Sequence, residues 1–337
     1  MGRVAVMGAG AWGTALAIVA ADADAEVRLW SRRAEHASAM TLTRTNDDHL
    51  PGVVLPPTVT VTGDAAVALD GADVVVLAVP SLGLGTELGR FRAAVPSEST
   101  LVSVAKGLEV ATRRFASEVV ADALGAAHDR VVALSGPNLA GEIAQRLPSA
   151  SVVAGSDPGH VEAARAVLSA PYFRVYAGED RIGVEVAGAV KNVIAVAVGI
   201  AHGMGFGDNT KAAVLTRGLA EMMRLGVALG ASPLTFSGLA GVGDLVATCA
   251  SPRSRNRTFG ERLGRGERTV DVVASMRSIA EAVSSAPAIA ALASEHGVDM
   301  PLTQAVVAAL AEGVDPMRLA VALTARPAGG ELDGIAV

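Results

Sequence analysis

Three glycines spaced Gly8-x-Gly10-x-x-Gly13, set between a short apolar run and a helical one, constrain this chain's fold more than any other feature. Arg3 to Gly8 (RVAVMG) reads as a strand and Thr14 to Ala21 as a helix. In that order the first glycine permits a tight turn, the second lets the backbone approach a pyrophosphate, and the third lets the helix pack close to the strand. The helix N-terminus then faces the phosphates, where its unpaired N–H groups and dipole favour an anion. A dinucleotide site with Gly8, Gly10, Ala11, Trp12 and Gly13 as contacts is expected, and a plain glycine turn is the alternative.

A second strand, Glu26 to Trp30, follows and ends in Ser31-Arg32-Arg33. A site selective for NAD would place a carboxylate here to hold the ribose 2′-hydroxyl. Two guanidiniums stand there instead, which suits a 2′-phosphate and predicts NADP(H) as the preferred cofactor, with NAD(H) possible. The plainer reading is a solvated turn. Further strands are expected at Val59 to Thr62, Asp73 to Val79, Leu101 to Val104, Val131 to Leu134, Ala150 to Ala154 and Tyr172 to Val175. Helical stretches alternate with them, so the fold class is α/β with a doubly wound, largely parallel sheet. Ligands bind such sheets at the carboxyl ends of the strands. Pro80-Ser81, Lys106-Gly107 and Ser135-Gly136-Pro137-Asn138 all follow strands and fall on that edge.

Strand signals largely stop near residue 180, which divides the chain into an α/β domain, 1–180, and an all-α domain, 181–330. Glycine clusters at Gly203 to Gly207 and Gly238 to Gly243 break the helical part. Its first helix, Val184 to Ala201, carries Lys191 beside Asn192 in an otherwise Ala- and Val-rich run. An ammonium in such a segment must be paired, or desolvation lowers its pKa toward the range of a proton-transfer group, or it snorkels to water. Lysine usage weighs on the choice: of 28 basic side chains only Lys106, Lys191 and Lys211 are lysines. Arginine cannot lose its proton in a protein, so a lysine kept here points to a titratable ammonium. Arg217 and Glu221 form an i, i+4 pair on the helix Lys211 to Leu229, with a structural role expected. Asp244 and Thr248 share that spacing on the helix after Gly243, where the carboxylate is a site residue or a dipole partner. Arg253-Ser254-Arg255-Asn256-Arg257 follows the turn Ser251-Pro252 and offers guanidinium beside amide, good chemistry for a phosphoryl group.

The length, 337 residues, fits two domains of ordinary size. A net charge of −6 without long charge runs argues against a nucleic-acid partner. No uncharged apolar run reaches the roughly 20 residues that span a bilayer, and no secretory leader precedes the first strand, so no stable membrane insertion is expected. The sole cysteine, Cys249, excludes an internal disulfide, fits a cytoplasmic setting, and is expected as a small buried hydrophobe. No metal ligand set is expected.

Taken together, GAGAWGTALA, SVAKGLE, SGPNLAGE, GAVKNVIAVAVGI, LTRGLAEMMRLG, GLAGVGDLVATC and SRNRTFG resemble, in order, the motifs of the bacterial NAD(P)-dependent sn-glycerol-3-phosphate dehydrogenase family, from about residue 3 to 320. The resemblance implies an N-terminal Rossmann-like domain for the cofactor and an α-helical C-terminal domain. It implies reversible reduction of dihydroxyacetone phosphate to sn-glycerol 3-phosphate for phospholipid synthesis, with Lys191 as proton donor and acceptor. It also places Lys106, Gly136, Asn138, Asn192, Asp244, Thr248, Ser254, Arg255 and Asn256 about the substrate. Pro80, Lys106, Ala140, Arg255, Ile279 and Glu281 join the glycine loop and the two arginines at the cofactor. The expected assembly is a homodimer. Related dehydrogenases of the 3-hydroxyacid and 6-phosphogluconate types share the fold, and the SRNR and GVGDL blocks argue against them. A non-catalytic NADP(H) sensor would have no reason to keep a lysine in an apolar helix. The chain departs from the family pattern at Asn138-Leu139, where Ser or Thr then Phe is usual; an amide can replace a hydroxyl as donor. The tail after Arg326 matches nothing in the family and, rich in Pro and Gly, is expected as a frayed end.

Overall fold

The structure, a computed structural model, describes residues 2–276 and 280–313. The described chain forms two compact units, one of residues up to Lys106 with Phe115–Arg181, the other of Gly107–Arg114 with the chain from Ile182 on. The first unit is therefore not a single uninterrupted stretch. The tail beyond Arg326 lies outside the described residues.

In the first unit β1 (Arg3–Met7), α1 (Ala11–Asp22) and β2 (Glu26–Trp30) are followed by α2 (Ala34–Thr43) and a small hairpin, β3 (Thr45–Asn46) with β4 (Leu50–Val54). Then come β5 (Val59–Thr62), α3 (Ala65–Leu69), β6 (Val74–Leu77), α4 (Leu84–Gly89) and β7 (Thr100–Ser103). After the short ribbon β8 (Leu108–Glu109) and β9 (Arg114–Phe115) the unit closes with α5 (Ala116–Leu124), β10 (Val131–Ser135), α6 (Ala140–Ala144), β11 (Ser149–Ala154), α7 (Pro158–Leu168) and β12 (Phe173–Gly178). The eight-stranded sheet runs β12-β11-β10-β7-β6-β1-β2-β5. Every pairing in it is parallel except β10 with β11, so the sheet is doubly wound and largely parallel as expected.

Both faces are covered, and the central strands β1 and β6 are apolar at all positions but Arg3. Val4 and Val6 of β1 join the core beneath α1 and α7, and Ala5 and Met7 join the opposite core beneath α3, α4 and α5. The chain leaves β1 in one direction, through β2 to β5, then returns to β6 on the other side of β1. That reversal makes β1 and β6 the switch point where a crevice opens at the strand ends. Strand and helix edges differ from the sequence reading by a few residues: β6 is shorter than Asp73 to Val79, and β12 is Phe173–Gly178 rather than Tyr172 to Val175. The β3–β4 hairpin was not expected, because TNDDH carries no alternating pattern.

The second unit is helical beyond the β8 segment. α8 (Arg181–Gly203), α9 (Asp208–Ala228), α10 (Asp244–Ala250), α11 (Arg255–Gly264), α12 (Thr269–Ser275), α13 (Glu281–Glu295) and α14 (Pro301–Glu312) follow in order. The 23 residues of α8 make a rod of about 34 Å at 1.5 Å per residue. Among the described residues α8 alone is long and apolar enough to cross a membrane by length and composition, but its most apolar window is wholly buried, as in a core helix. Against it α11 packs with unusual closeness. A Cβ at Gly199 would lie 2.1 Å from the Arg257 carbonyl oxygen, and one at Gly260 would lie 2.1 Å from that of Val196. Gly203 and Gly264 make the same contact one turn along, so two glycine pairs, each spaced four residues apart, interlock the helices backbone to backbone. The second glycine cluster interrupts the helical run as expected: Gly238 is extended, and the π turn Leu239–Gly243 leads into α10 across a non-helical Gly241.

Glu221 of α9 has its structural role at a longer range than the i, i+4 pairing suggested. Its carboxylate accepts hydrogen bonds from the Leu302 and Thr303 N–H groups and from Thr303 Oγ1, capping α14. Burial raises the Glu221 carboxyl above its ordinary value, and the Leu302 and Thr303 N–H groups oppose that rise.

Candidate functional site

In the first unit the three glycines do different things. Gly8 sits at φ +128°, where an added Cβ would lie 2.4 Å from the Ala78 carbonyl oxygen, so it lets the ends of β1 and β6 meet. At Gly13 a Cβ would lie 1.9 Å from the Gly8 oxygen, so that glycine seats α1 on the turn. At Gly10 nothing lies within 4 Å, and the bare backbone there borders open space. The N-terminus of α1 that follows has no side-chain cap and no acidic residue in its first turn. The Trp12 Nε1–H nearby is buried without a partner among the described residues. Donors without acceptors beside an open backbone fit a dinucleotide pyrophosphate.

At the end of β2, Arg32 and Arg33 are both exposed, but they are not two equivalent guanidiniums. Arg33 is bound by Asp48, with Nη2 3.0 Å from Oδ2. Sequence reasoning missed Asp48, which arrives from the unexpected hairpin. Nearby, burial and then the neighbouring His36 push the His49 imidazole below its ordinary pKa. Pro80 is exposed just beyond β6, and Ala140 opens α6, half-buried against the core.

Lys106 donates from Nζ to the Gly136 carbonyl oxygen at 2.9 Å, which ties the turn after β7 to the turn after β10. Gly136 sits at φ +150°, and a Cβ there would meet the Ser151 Cα at 2.9 Å, so both conformation and space call for glycine. Asn138 is tied to Ser151 of β11. Ser151 Oγ gives its one hydrogen to the Ser135 carbonyl oxygen at 2.7 Å, so toward Asn138 it can only accept, from Nδ2 at 3.2 Å. That bond fixes the amide. Asn138 Oδ1 is left buried with no partner among the described residues, so this side chain keeps an acceptor and one amide hydrogen beyond the bond to Ser151.

The second unit gathers its residues more tightly. Lys191 is 6% exposed, and its Nζ lies 2.6 Å from Asp244 Oδ1 and 2.9 Å from Thr248 Oγ1. Thr248 in turn donates to Asp244 Oδ1 at 3.2 Å. Of the three environments open to this lysine, pairing is the one found. A buried pair of this kind survives desolvation only because each charge finds the other and a hydroxyl besides. One residue along α8, Asn192 donates to Glu281 Oε2 at 3.0 Å and accepts from Asn256 Nδ2 at 2.8 Å. Asn256 Oδ1 accepts from the Ala282 N–H at 3.2 Å. The start of α13 is thereby fastened to α8 and α11 beside the lysine. Ser254 caps α11 by accepting from the Arg257 N–H, and Arg255 follows as an exposed first residue. Cys249 is buried as expected, and burial pushes its thiol up to about 12. Ile279 lies outside the described residues.

Comparison with known proteins identifies the family. The family models for the N-terminus and the C-terminus of NAD-dependent glycerol-3-phosphate dehydrogenase match residues 3–161 and 180–321. A Streptomyces griseus protein named glycerol-3-phosphate dehydrogenase [NAD(P)+] is 51% identical over 329 residues, 98% of each chain. A Mycobacterium tuberculosis protein named glycerol-3-phosphate dehydrogenase [NAD(P)+] 2 is 54% identical over 303 residues, 90% of each. Among solved structures, a glycerol-3-phosphate dehydrogenase from Coxiella burnetii superposes with a TM-score of 0.90 at 37% identity, covering 96% of this chain and 99% of its own. With both units matched by models of one enzyme and near-complete relatives at half identity, the chain belongs to the NAD-dependent glycerol-3-phosphate dehydrogenase family.

Proposed function

We propose that this chain reduces dihydroxyacetone phosphate to sn-glycerol 3-phosphate, reversibly, preferring NADPH and accepting NADH, and so feeds glycerophospholipid synthesis. The observation that carries the chemistry is the buried Lys191–Asp244–Thr248 cluster, set in a chain of this family. The bound nicotinamide supplies a hydride to the ketone carbon. Lys191 holds a proton at Nζ for the oxygen that becomes the alcohol, and in the oxidative direction takes it back. Asp244 and Thr248 keep the ammonium in one place, so its approach to the oxygen costs no search of rotamers. Arg255 supports phosphate binding as an exposed guanidinium at a helix N-terminus. Asn256 spends its oxygen and one amide hydrogen inside the cluster, leaving at most one hydrogen for a ligand. Asn192 and Glu281 support the same region, and Lys106, Gly136, Asn138 and Ala140 are read as ligand contacts of the first unit. A homodimer in the cytoplasm belongs to this reading, and sedimentation equilibrium tests the assembly.

Loss of nicotinamide absorbance by the purified protein is the direct test, with NADPH or NADH and a panel of ketones. Turnover with dihydroxyacetone phosphate, and little with unphosphorylated dihydroxyacetone, is the expected result. Preference for a 2-keto acid or a sugar acid phosphate would overturn the reading.

A further inference from the structure

A hydrogen-bonded chain of buried and half-buried side chains runs from the glycine turn to the end of β2. Asn46, 1% exposed in the β3–β4 hairpin, donates from Nδ2 to the Ala9 carbonyl oxygen at 3.0 Å and to Thr14 Oγ1 at 2.7 Å. Because a backbone carbonyl can only accept, this contact fixes the amide orientation and turns Asn46 Oδ1 toward His36 Nε2, 3.0 Å away. The oxygen only accepts, so Nε2 must carry a hydrogen. In the neutral ring Nδ1 is then the lone pair, and it takes the hydroxyl hydrogen of Ser31 at 2.9 Å. Ser31 is buried, its N–H is bound to the Thr62 carbonyl oxygen, and Arg32 and Arg33 come directly after it. Each donor and acceptor along this path has one partner of the right kind.

The two ends of the path are the two places where a dinucleotide is expected to be held. One is the turn at Ala9 and the first helical turn at Thr14; the other is the arginine pair. From the same hairpin Asp48 holds Arg33 and stands 4.0 Å from His36 Nε2. We infer that His36 and Asn46 are positioning residues for cofactor choice: they fix the arginine-bearing end of β2 at a set distance from the glycine turn, so that a 2′-phosphate meets its guanidiniums without reorganisation. The inference rests on the reading that Arg32 or Arg33 recognises the 2′-phosphate. NADPH engages both ends and NADH only one, so loosening the link weakens NADPH more.

The test is equilibrium binding of NADPH and of NADH to the full chain, followed by nicotinamide fluorescence, with thermal unfolding of each variant alongside. In His36→Ala the preference for NADPH over NADH is expected to fall about tenfold, the worth of one well-placed hydrogen bond, while NADH affinity changes little. His36→Gln, whose amide can donate toward Asn46 and accept from Ser31, should lie between the parent and His36→Ala. If His36→Ala fails to fold, Ser31→Ala removes a single bond of the chain and is read the same way. Equal weakening of both cofactors, or an unchanged preference in a folded variant, overturns the inference. The double variant Arg32→Ala, Arg33→Ala separates the two ideas. If it loses the preference while His36→Ala keeps it, the arginines read the phosphate and the positioning role is wrong. If it keeps the preference, the arginine reading fails and the inference falls with it.

Discussion

At Gly10 an added methyl would meet no protein atom within 4 Å, whereas at Gly260 it would lie 2.1 Å from the Val196 carbonyl oxygen. The same residue type leaves room for a ligand in the first unit and for another helix in the second. The first region is accordingly made of backbone: N–H groups at the start of α1 and a bare Gly10. The second is made of side chains already bound to one another, with Lys191, Asp244, Thr248, Asn192, Asn256 and Glu281 drawn from four helices that close packing has fixed in register. A cradle for a large, rigid ligand can leave its groups unsatisfied until the ligand arrives. A buried charge cannot wait in that way and needs its partner from the outset.

The sharpest way to break this contrast is at the lysine. Lys191→Ala should lower kcat by roughly 10²-fold to 10⁴-fold, the usual range for a positioned acid or base, with cofactor affinity little changed. Lys191→Arg should rescue little, since a guanidinium holds its proton. Near-native kcat in the arginine variant would show that only the positive charge matters there.

A smaller effect tests the glycines themselves. Gly260→Ala should destabilise the fold by about 1–3 kcal/mol through overpacking against α8, seen in chemical unfolding. Gly10→Ala should leave stability within about 0.5 kcal/mol while weakening cofactor binding. Reversal of the two outcomes, or equal loss of stability in both, would erase the distinction between room for a ligand and room for a helix.

The smallest effect concerns Cys249. Its thiol is raised from 9.0 to about 12 by burial, with the Asp244 charge adding and Lys191 opposing. Between those values the unfolded chain has given up a proton that the folded chain still holds. Stability that is complete below pH 9 therefore falls as pH rises through that window. Cys249→Ala should flatten this part of the alkaline limb, and the native thiol should resist alkylation at pH 8 until the chain unfolds. Rapid native labelling would mean that the cluster around Lys191 opens to solvent.

How much of this was legible in the sequence follows from how local each feature is. The glycine turn is contiguous, and its spacing alone places strand, turn and helix. The Lys191 run announced a buried helix through its length and apolarity, and lysine scarcity singled out one side chain. Its pairing with Asp244, 53 residues away, was not foreseen, since no spacing rule links α8 to α10; spacing tied Asp244 only to Thr248 and resemblance placed it only about the substrate. The four-residue rhythm of Gly199 and Gly203, and of Gly260 and Gly264, was available in the sequence, yet which helix each stripe faces is set by tertiary packing. Residues 45–49 were illegible for a different reason. A polar run such as TNDDH looks like a solvated loop, and only the fold shows that Asn46 is buried and that Asp48 reaches Arg33. Asn138 was read as an amide donor; that one of its two amide hydrogens goes to Ser151 on a neighbouring strand is a tertiary contact no spacing announces.

The burial of α8 from Gly183 to Ala201 has a consequence in the time domain. A helix enclosed along its most apolar window has no frayed edge from which to open, so its amide hydrogens should exchange with deuterated solvent only when the whole unit unfolds. The β3–β4 hairpin, half of it exposed, should exchange through brief local openings long before. Lys191 thus rides on the part of its unit expected to exchange slowest, and within the hairpin the exposed residues around Asp48 should exchange before the buried Asn46.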